Sequence, residues 1–264
     1  MISFTKMHGL GNDFIVFEIA ADQPLPTIAT WRALANRHTG IGFDQALVIS
    51  AARSVGTDAY YRIFNADGGE VEQCGNGARC VAEWLRRKGR ARDGLRLESP
   101  GGIVQASFPK AGQVAIDMGE PRFAASGEAS LLLDTQQVSY TEVSMGNPHI
   151  VLRTDNVDTA PVATLGPRLE SHPAFPARTN VGFLQVLDAK HARLRVYERG
   201  VGETRACGTG ACAAMATGRR AGWFDESVTV TLPGGSLQIS WNGPGSHLWM
   251  SGPAAVAFEG FVEV

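Results

Sequence analysis

The chain contains one short cysteine motif twice, and this duplication constrains its fold more than any other feature. The first copy reads Cys74-Gly75-Asn76-Gly77-Ala78, and the second reads Cys207-Gly208-Thr209-Gly210-Ala211. The two cysteines lie 207 − 74 = 133 positions apart. In each copy the cysteine precedes a glycine-rich turn that opens a helix-like stretch. The pattern therefore predicts one structural unit that occurs twice.

Four further pairs of segments repeat in the same order. They are Gly11-Asn12 with Gly146-Asn147, Gly42-Phe43 with Gly182-Phe183, Gly101-Gly102 with Gly234-Gly235, and Met118-Gly119-Glu120-Pro121 with Met250-Ser251-Gly252-Pro253. The period is too long for a solenoid. We therefore predict two pseudo-symmetric domains. The first covers residues 1–118, carries Cys74 and can be completed by the last strand. The second covers 119–264 and carries Cys207, with a hinge at 119–127.

Strand patterns dominate both halves. Short alternating or β-branched segments predict strands at residues 60–64, 103–108, 193–197, 228–232 and 237–241. Helices are predicted at 28–38 and after each cysteine, where Gly89 and Gly222 can end them (89 − 74 = 222 − 207 = 15). Strands and helices do not alternate as in a doubly wound sheet. We therefore predict an α/β (α+β) fold in which each half is a curved, mostly antiparallel sheet around a central helix.

Composition and charge exclude several classes of protein. Of the 264 residues, 44% are hydrophobic and 19% charged, which is typical of a soluble globular enzyme. The net charge of −2 gives no basic surface for nucleic acid or an anionic membrane. No apolar run is long enough for a membrane span, and residues 1–6 lack a signal-peptide pattern. We expect a cytoplasmic protein, in which reducing conditions favour free thiols.

A cysteine at a helix N-terminus is suited to acid–base chemistry. The unpaired N–H groups and the helix dipole favour the thiolate and lower the thiol pKa. The same N–H groups can hold a substrate carboxylate. If one carboxylate lay between two such helix ends, one thiolate could remove the Cα proton and the opposite thiol could supply another. The repeated motif therefore predicts inversion of a stereocentre, with the helix amides stabilising the developing charge.

Other interpretations of the cysteines remain open at this stage. A lone cysteine before a glycine-rich turn is more often a buried packing residue, and Cys80 and Cys212 inside the two helices are interpreted in this way. No C-x₂-C spacing supports a zinc site or a dithiol redox motif. A redox protein and a non-catalytic amino-acid binder are nevertheless alternatives. The repetition of the arrangement favours the catalyst.

Polar residues near strand-like runs are candidates for substrate contacts. Asn12, Asn65, Asn147 and Asn180 each lie beside an apolar run, although asparagine is also common in turns. Glu198-Arg199 occupies the place equivalent to Asn65, and such a pair can bind the ammonium and carboxylate of an amino acid. His149 is either a group that tunes a thiol or a structural histidine.

Six segments, in order along nearly the whole chain, resemble the diaminopimelate epimerase family. They are residues 8–14, 72–80, 146–149, 180–183, 197–200 and 206–211, with the two cysteine motifs the most specific. The resemblance implies interconversion of LL- and meso-2,6-diaminopimelate for lysine and peptidoglycan precursors, without pyridoxal phosphate, metal or another cofactor. It also implies two α/β domains with the site in the cleft. The only partner implied besides a small-molecule substrate is a second copy of the chain, in a homodimer.

The resemblance also assigns roles to residues. Cys74 and Cys207 would be the acid–base pair, and His149 and Glu198 would adjust the thiol pKa values. The reacting carboxylate would be bound by Gly75, Asn76, Gly208 and Thr209. The reacting amino group would be held by Asn12 and Gln45. The distal end of the substrate would be bound by Asn65, Asn147, Asn180, Glu198 and Arg199.

At two positions this chain differs from related families, and the differences concern the dimer contact and the substrate. The family often has a tyrosine at a dimer contact near the C-terminus, where this chain has Phe258, so that hydroxyl contact would be absent. Proline and hydroxyproline racemases resemble this chain in their paired cysteines, but they commonly carry Cys-Gly-His-Gly where this chain has Asn76. A racemase acting on proline or hydroxyproline is therefore the alternative enzyme.

Overall fold

The chain folds into two compact units. The computed structural model describes residues 1–20, 23–71, 74–91 and 93–263, apart from the side chain of Ser126. One unit comprises Met1–Asp117 and Ser251–Val264, and the other comprises Met118–Met250. The chain thus enters the second unit just before the predicted hinge at 119–127 and returns to the first after Met250. Residues 122–127 lie in a strand, so this part of the predicted hinge is not a linker.

The first unit is a mixed sheet with two helices. Its elements are β1 (Ile2–Gly9), β2 (Asn12–Glu18), α1 (Ile28–Ala35), β3 (Gln45–Ser50), β4 (Ala59–Asn65), β5 (Glu70–Val71), α2 (Gly75–Arg87), β6 (Gly94–Ser99), β7 (Gly102–Lys110) and β8 (Gln113–Asp117). The pairs β2–β3 and β4–β6 are parallel, whereas β1–β2, β3–β4, β4–β5, β6–β7 and β7–β8 are antiparallel. Helix α2 contacts six of these strands and lies at the centre of the unit.

The second unit repeats this topology. Its elements are β9 (Arg122–Leu133), β10 (Gln136–Ser144), β11 (Pro148–Arg153), α3 (Val162–Glu170), β12 (Asn180–Asp188), β13 (His191–Glu198), β14 (Gly202–Thr204), α4 (Gly208–Arg220), β15 (Ser227–Leu232) and β16 (Gly235–Ser240). Again two pairs are parallel, β11–β12 and β13–β15. Helix α4 is 13 residues long, as is α2, and contacts six strands of its unit.

The end of the chain returns to the first unit. Strand β17 (Trp249–Pro253) includes the point where the chain leaves the second unit, and β18 (Ala255–Val262) follows it. Strand β18 pairs antiparallel with β1 from Ile2–Val262 to His8–Ala255. Mixed sheets with few helices confirm the predicted α+β class. None of the helices in the described part of the chain combines the length and apolarity that crossing a bilayer requires.

The predicted central helices follow from local sequence signals. Cys74 and Cys207 have extended backbones and are the N-caps of α2 and α4. The apolar face of α2, including Val81 and Leu85, is buried, as are Cys80 and Cys212. Basic residues occupy the last turn of each helix, where they complement the dipole. Gly89 and Gly222 follow with φ of 71° and 76°, a conformation that glycine adopts readily.

Other predicted elements differ in their bounds. The five predicted strands correspond to β4, β7, β13, β15 and β16, although β16 ends one residue earlier, at Ser240. Helix α1 stops at Ala35 because the Asn36 side chain accepts hydrogen bonds from the backbone N–H groups of His38 and Thr39, which turns the chain. Helix α3 contains Gly166 and Pro167 and was not predicted from the sequence.

Candidate functional site

The Cys74 sulfur lies at the start of α2. Its Sγ accepts a hydrogen bond from the backbone N–H of Gly77 at 3.4 Å, and its carbonyl accepts one from Ala78 at 2.8 Å. The sulfur thus replaces the hydroxyl or carboxylate of an ordinary N-cap. Gly75 and Asn76 form the first turn, whose N–H groups point beyond the helix end. This geometry favours a thiolate and an anionic ligand at the same place.

The Cys207 sulfur contacts a carboxylate. Cys207 is 3% exposed, and its thiol donates a hydrogen bond to Glu198 Oε2 at 3.1 Å. The other oxygen of Glu198 accepts a hydrogen bond from the Thr204 hydroxyl. The Thr209 hydroxyl lies 3.7 Å from the sulfur, and Gly208 begins α4. The structure therefore brings Cys207, Glu198 and Thr209, three of the predicted site residues, together in one cluster.

The surroundings of Cys207 keep its thiol protonated. Burial raises the pKa of Cys207 well above its ordinary value, and the negative charge and hydrogen bond of Glu198 raise it further. The Gly210 N–H and the Thr209 hydroxyl act in the opposite direction but are outweighed. The helix end thus lowers the pKa of Cys207, as expected, but burial and the neighbouring carboxylate exceed its effect, and the net shift is upward.

Amide side chains form a chain beside the first turn of α2. Asn76 is 4% exposed, and its Nδ2 lies 3.4 Å from Asn12 Oδ1. Arg79 donates to Asn76 Oδ1 at 2.9 Å, and Asn12 Nδ2 donates to Asp44 Oδ2 at 2.8 Å. Because a carboxylate only accepts, Asp44 fixes the orientation of the Asn12 carboxamide. The Asn12 oxygen is consequently directed to the helix end.

Gln45 and Asn65 face each other across β3 and β4. They are register partners, and Gln45 Nε2 donates to Asn65 Oδ1 at 2.9 Å. Gln45 Oε1 is buried and has no hydrogen-bond partner among the described residues. A buried acceptor without a donor costs free energy, so this oxygen is suited to a ligand N–H group.

His149 holds Asn147 by a hydrogen bond. His149 Nε2 and Asn147 Oδ1 are hydrogen-bonded at a distance of 3.0 Å. Asn147 Nδ2 lies 3.4 Å from Thr209 Oγ1. Burial, and then the positive charge of Arg199, lower the pKa of His149 to about 3. The imidazole is therefore neutral at neutral pH. Any influence of His149 on a thiol would pass through Asn147 and not through an imidazolium charge.

Asn180, Glu198 and Arg199 meet at the edge of the second unit's sheet. Asn180 pairs with His149 across the parallel strands β11 and β12. Its Nδ2 donates to Pro148 O at 2.8 Å, and its Oδ1 accepts from the Arg199 N–H at 3.0 Å. Glu198 ends β13, and the exposed Arg199 follows it in the turn to β14. The structure thus places these candidates in one group with Asn147 and His149.

Three side chains that hold candidate site residues or their neighbours in place, two carboxylates and one hydroxyl, were not predicted from the sequence. Asp44 holds Asn12, Thr204 donates to Glu198, and the buried Glu170 at the end of α3 accepts from the Gly200 N–H at 2.9 Å. None of them belongs to the repeated motif. No group of three or more His, Cys, Asp or Glu side chains within the described ranges is arranged to hold a metal ion.

The chain is similar to known proteins along nearly its whole length. The sequence profile of the family described as diaminopimelate epimerase matches residues 4–124 and 141–257. A diaminopimelate epimerase from Pseudomonas aeruginosa is 51% identical to this chain, in an alignment of 275 positions that covers 100% of each chain.

Two solved structures show similarity of fold alone. A hydroxyproline epimerase from Agrobacterium vitis, with bound trans-4-hydroxy-L-proline, has a TM-score of 0.71 and 17% identity, covering 98% of this chain and 91% of its own. A predicted epimerase from Pseudomonas aeruginosa has a TM-score of 0.74 and 15% identity, covering 100% of both chains.

Proposed function

The chain belongs to the diaminopimelate epimerase family, and we propose that it interconverts LL- and meso-2,6-diaminopimelate by two-base acid–base catalysis. The observation that carries the proposal is that two equivalent central helices each begin at a cysteine. Inversion at a carbon requires one group to remove a proton from one face and a second group to deliver a proton to the other. Two cysteines in matched settings meet this need.

The two cysteines differ in a way that assigns their first roles. Cys207 is buried against Glu198 and holds its proton, so it is the proton donor of the resting enzyme. Cys74 accepts the Gly77 N–H and is the base. The Cα–H bond breaks toward the Cys74 thiolate while the Cys207 S–H bond breaks toward Cα. After the conversion Cys74 carries the proton and Cys207 is the thiolate, which is the form that acts on the opposite epimer. Proton exchange with water restores the resting form for another turnover in the same direction.

The remaining candidates divide by the part of the substrate that they bind. The helix ends at Gly75, Asn76, Gly208 and Thr209 hold the reacting carboxylate and stabilise the enolate-like charge that forms on it. The unpartnered oxygen of Gln45 and the oriented oxygen of Asn12 accept hydrogen bonds from the reacting amino group. Asn65, Asn147, Asn180, Glu198 and Arg199 bind the distal amino-acid end. His149 acts by fixing Asn147.

The proposed setting is a cytoplasmic homodimer that serves lysine and peptidoglycan precursor synthesis. The observation that supports a dimer is the exposure of large apolar side chains on β18. Phe258 is 50% exposed and Phe261 is 73% exposed. Exposed aromatic groups on a strand are typical of an interface. Phe258 contacts Phe4 edge-on, with ring centroids 6.0 Å apart, and would contribute packing rather than a hydroxyl contact.

The test is hydrogen exchange at Cα in deuterated water, with purified protein and no added cofactor. We expect deuterium to enter LL-diaminopimelate as meso product forms, and no comparable exchange into L-proline or hydroxyproline. Cys74→Ala and Cys207→Ala should each abolish epimerisation, because one face of the carbon then lacks its acid or base. Cys80→Ala and Cys212→Ala, which alter buried cysteines within the same helices, are the matched controls and should retain activity. Near-normal epimerisation by either of the first two variants would refute the two-base scheme.

A further inference from the structure

Helix α3 ends at a buried carboxylate with a specific set of partners. Glu170 is 2% exposed. Its Oε2 accepts a hydrogen bond from the Arg178 guanidinium at 2.5 Å, and its Oε1 accepts one from the Gly200 backbone N–H at 2.9 Å. A carboxylate is costly to bury unless its oxygens are bonded. Here one oxygen binds a cation and the other binds the backbone of a different element.

The backbone that Glu170 holds is the turn between β13 and β14. The Val201 N–H donates to the Glu198 carbonyl at 3.1 Å, and Gly200 has a φ of 74°, so residues 198–201 form a β-turn. The Arg199 N–H donates to Asn180 Oδ1. Both central N–H groups of the turn are therefore held by side chains from other elements. This turn carries Arg199 and begins at Glu198.

Two further features fix Glu170 relative to this turn. Gly166 of α3 lies so close to Tyr197 that an added Cβ would be 2.7 Å from the ring, so α3 packs directly on β13 one residue before Glu198. Arg178 has a φ of 57°, which is unfavourable for a residue with a side chain. The ion pair with Glu170 holds the Arg178 side chain beside the end of α3.

We propose that Glu170 is a positioning residue for substrate binding: it fixes the 198–201 turn and so holds the Arg199 guanidinium in place for the distal carboxylate of the substrate. The inference rests on the proposed function. A guanidinium that is already fixed loses less conformational entropy on binding. Without Glu170 the turn would lose one of its two side-chain anchors. The Arg199 guanidinium would keep its hydrogen bond to Ala177 O, but from a turn that is held less firmly.

Steady-state kinetics with LL-diaminopimelate test the role. Glu170→Ala should raise KM about tenfold, the usual scale for losing a hydrogen bond to a charged group, while kcat changes much less. Glu170→Gln keeps an acceptor for the Gly200 N–H and should raise KM less. The matched control is Glu203→Ala, which removes the carboxylate that pairs with Arg195 in the same hairpin but does not touch the turn. It should leave KM unchanged.

A double variant separates a positioning role from a general loss of structure. If Glu170 acts through Arg199, then Glu170→Ala combined with Arg199→Ala should have the KM of Arg199→Ala alone. If the increase in KM of the double variant equals the product of the increases in the two single variants, the inference is overturned. A fall in kcat with an unchanged KM in Glu170→Ala and in Glu170→Gln would overturn it as well.

Amide hydrogen exchange in the substrate-free protein gives a readout that does not depend on turnover. The Gly200 amide should exchange faster in Glu170→Ala than in the wild type, and at the wild-type rate in Glu203→Ala. If the wild type does not epimerise diaminopimelate while the Gly200 amide responds as expected, the proposed function is wrong and the anchoring by Glu170 stands. If the Gly200 amide does not respond, the inference about Glu170 is wrong whatever the substrate.

Discussion

At the scale of single residues, the contact between Cys207 and Glu198 makes the surroundings of the two thiols unequal. A thiol at a helix N-terminus is ordinarily acidified. At Cys207 the helix end is opposed by burial and by a carboxylate oxygen 3.1 Å from the sulfur. The Thr204 hydroxyl bonds the other oxygen and holds the carboxylate in place. The two cysteines thus occupy equivalent places in the fold but have different hydrogen-bond partners.

Replacing Glu198 by glutamine should lower the pKa of Cys207. The change removes the negative charge and the carboxylate acceptor of the thiol, both of which raise this pKa, and leaves only burial in that direction. We expect the midpoint of the Cys207 titration to fall by at least about one pH unit, which is the usual effect of one close charge on a pKa. At a fixed pH below the wild-type midpoint, the variant therefore contains more thiolate. The measurement is the pH dependence of Cys207 alkylation, followed by peptide mass spectrometry.

The control for this experiment is Glu203→Gln. Glu203 lies in the same hairpin, but its carboxylate binds Arg195 and not a thiol. Its loss should leave the alkylation midpoint of Cys207 unchanged. An unchanged midpoint in Glu198→Gln as well would contradict the assignment of Glu198 as the group that holds the proton on Cys207.

The sequence identified the cysteines but not the residues that support the site. Cys74 and Cys207 were predicted as helix N-termini because that signal is local: a cysteine, a glycine-rich turn and an apolar face follow one another in the chain. Asp44 lies 32 positions from Asn12, and Glu170 lies 30 positions from Gly200. Such contacts exist only after strands have paired, so no local pattern indicates them.

At the scale of elements, α3 shows where propensity and tertiary packing disagree. Gly166 and Pro167 both disfavour a helix interior, which explains why the sequence did not predict this element. The glycine is required because the ring of Tyr197 occupies the space of a Cβ. Buried contacts of Val162 and Leu169 with the core of the unit supply the stability that local propensity lacks.

Gly166→Ala should destabilise the second unit. Alanine would favour the helix by up to about 1 kcal/mol. The added Cβ would, however, lie within 2.7–2.9 Å of three atoms of Tyr197, and overlaps of this kind typically cost about 1–3 kcal/mol. We expect a net loss of roughly 1 kcal/mol in the free energy of unfolding, measured by urea denaturation.

The matched control for α3 is Thr164→Ala. Thr164 is an exposed residue of the same helix, so the change should be neutral or slightly stabilising. If Gly166→Ala were as stable as Thr164→Ala, the close approach of α3 to β13 would not hold in solution. The turn after Glu198 would then also lose one of its supports.

At the scale of the whole molecule, the 133-residue offset predicted most of the architecture. Parallel pairs β2–β3 and β11–β12 occupy equivalent places, as do α2 and α4. The association of Ser251–Val264 with the first unit does not follow from this offset. It depends on pairing between β1 and β18, which are separated by nearly the full chain, and a strand pattern alone does not specify its partner.

Strand β18 gives the last prediction, which concerns assembly. Phe258 and Phe261 lie three positions apart, so they project from opposite faces of the strand, and both are exposed. In a twofold-symmetric dimer one substitution acts twice. Burial of a phenylalanine contributes about 1.5–3 kcal/mol, so Phe261→Glu should weaken the dimer by roughly 3–6 kcal/mol and shift it to monomer.

Sedimentation velocity of the wild type and two variants measures this effect. We expect a dimer for the wild type and a monomer for Phe261→Glu. Val55→Glu removes another fully exposed apolar side chain of the first unit, outside β18, and should remain a dimer. Dissociation of both variants would indicate a nonspecific effect of added charge. A dimer that persists in Phe261→Glu would exclude this strand as the interface, and a monomeric wild type would exclude the dimer itself.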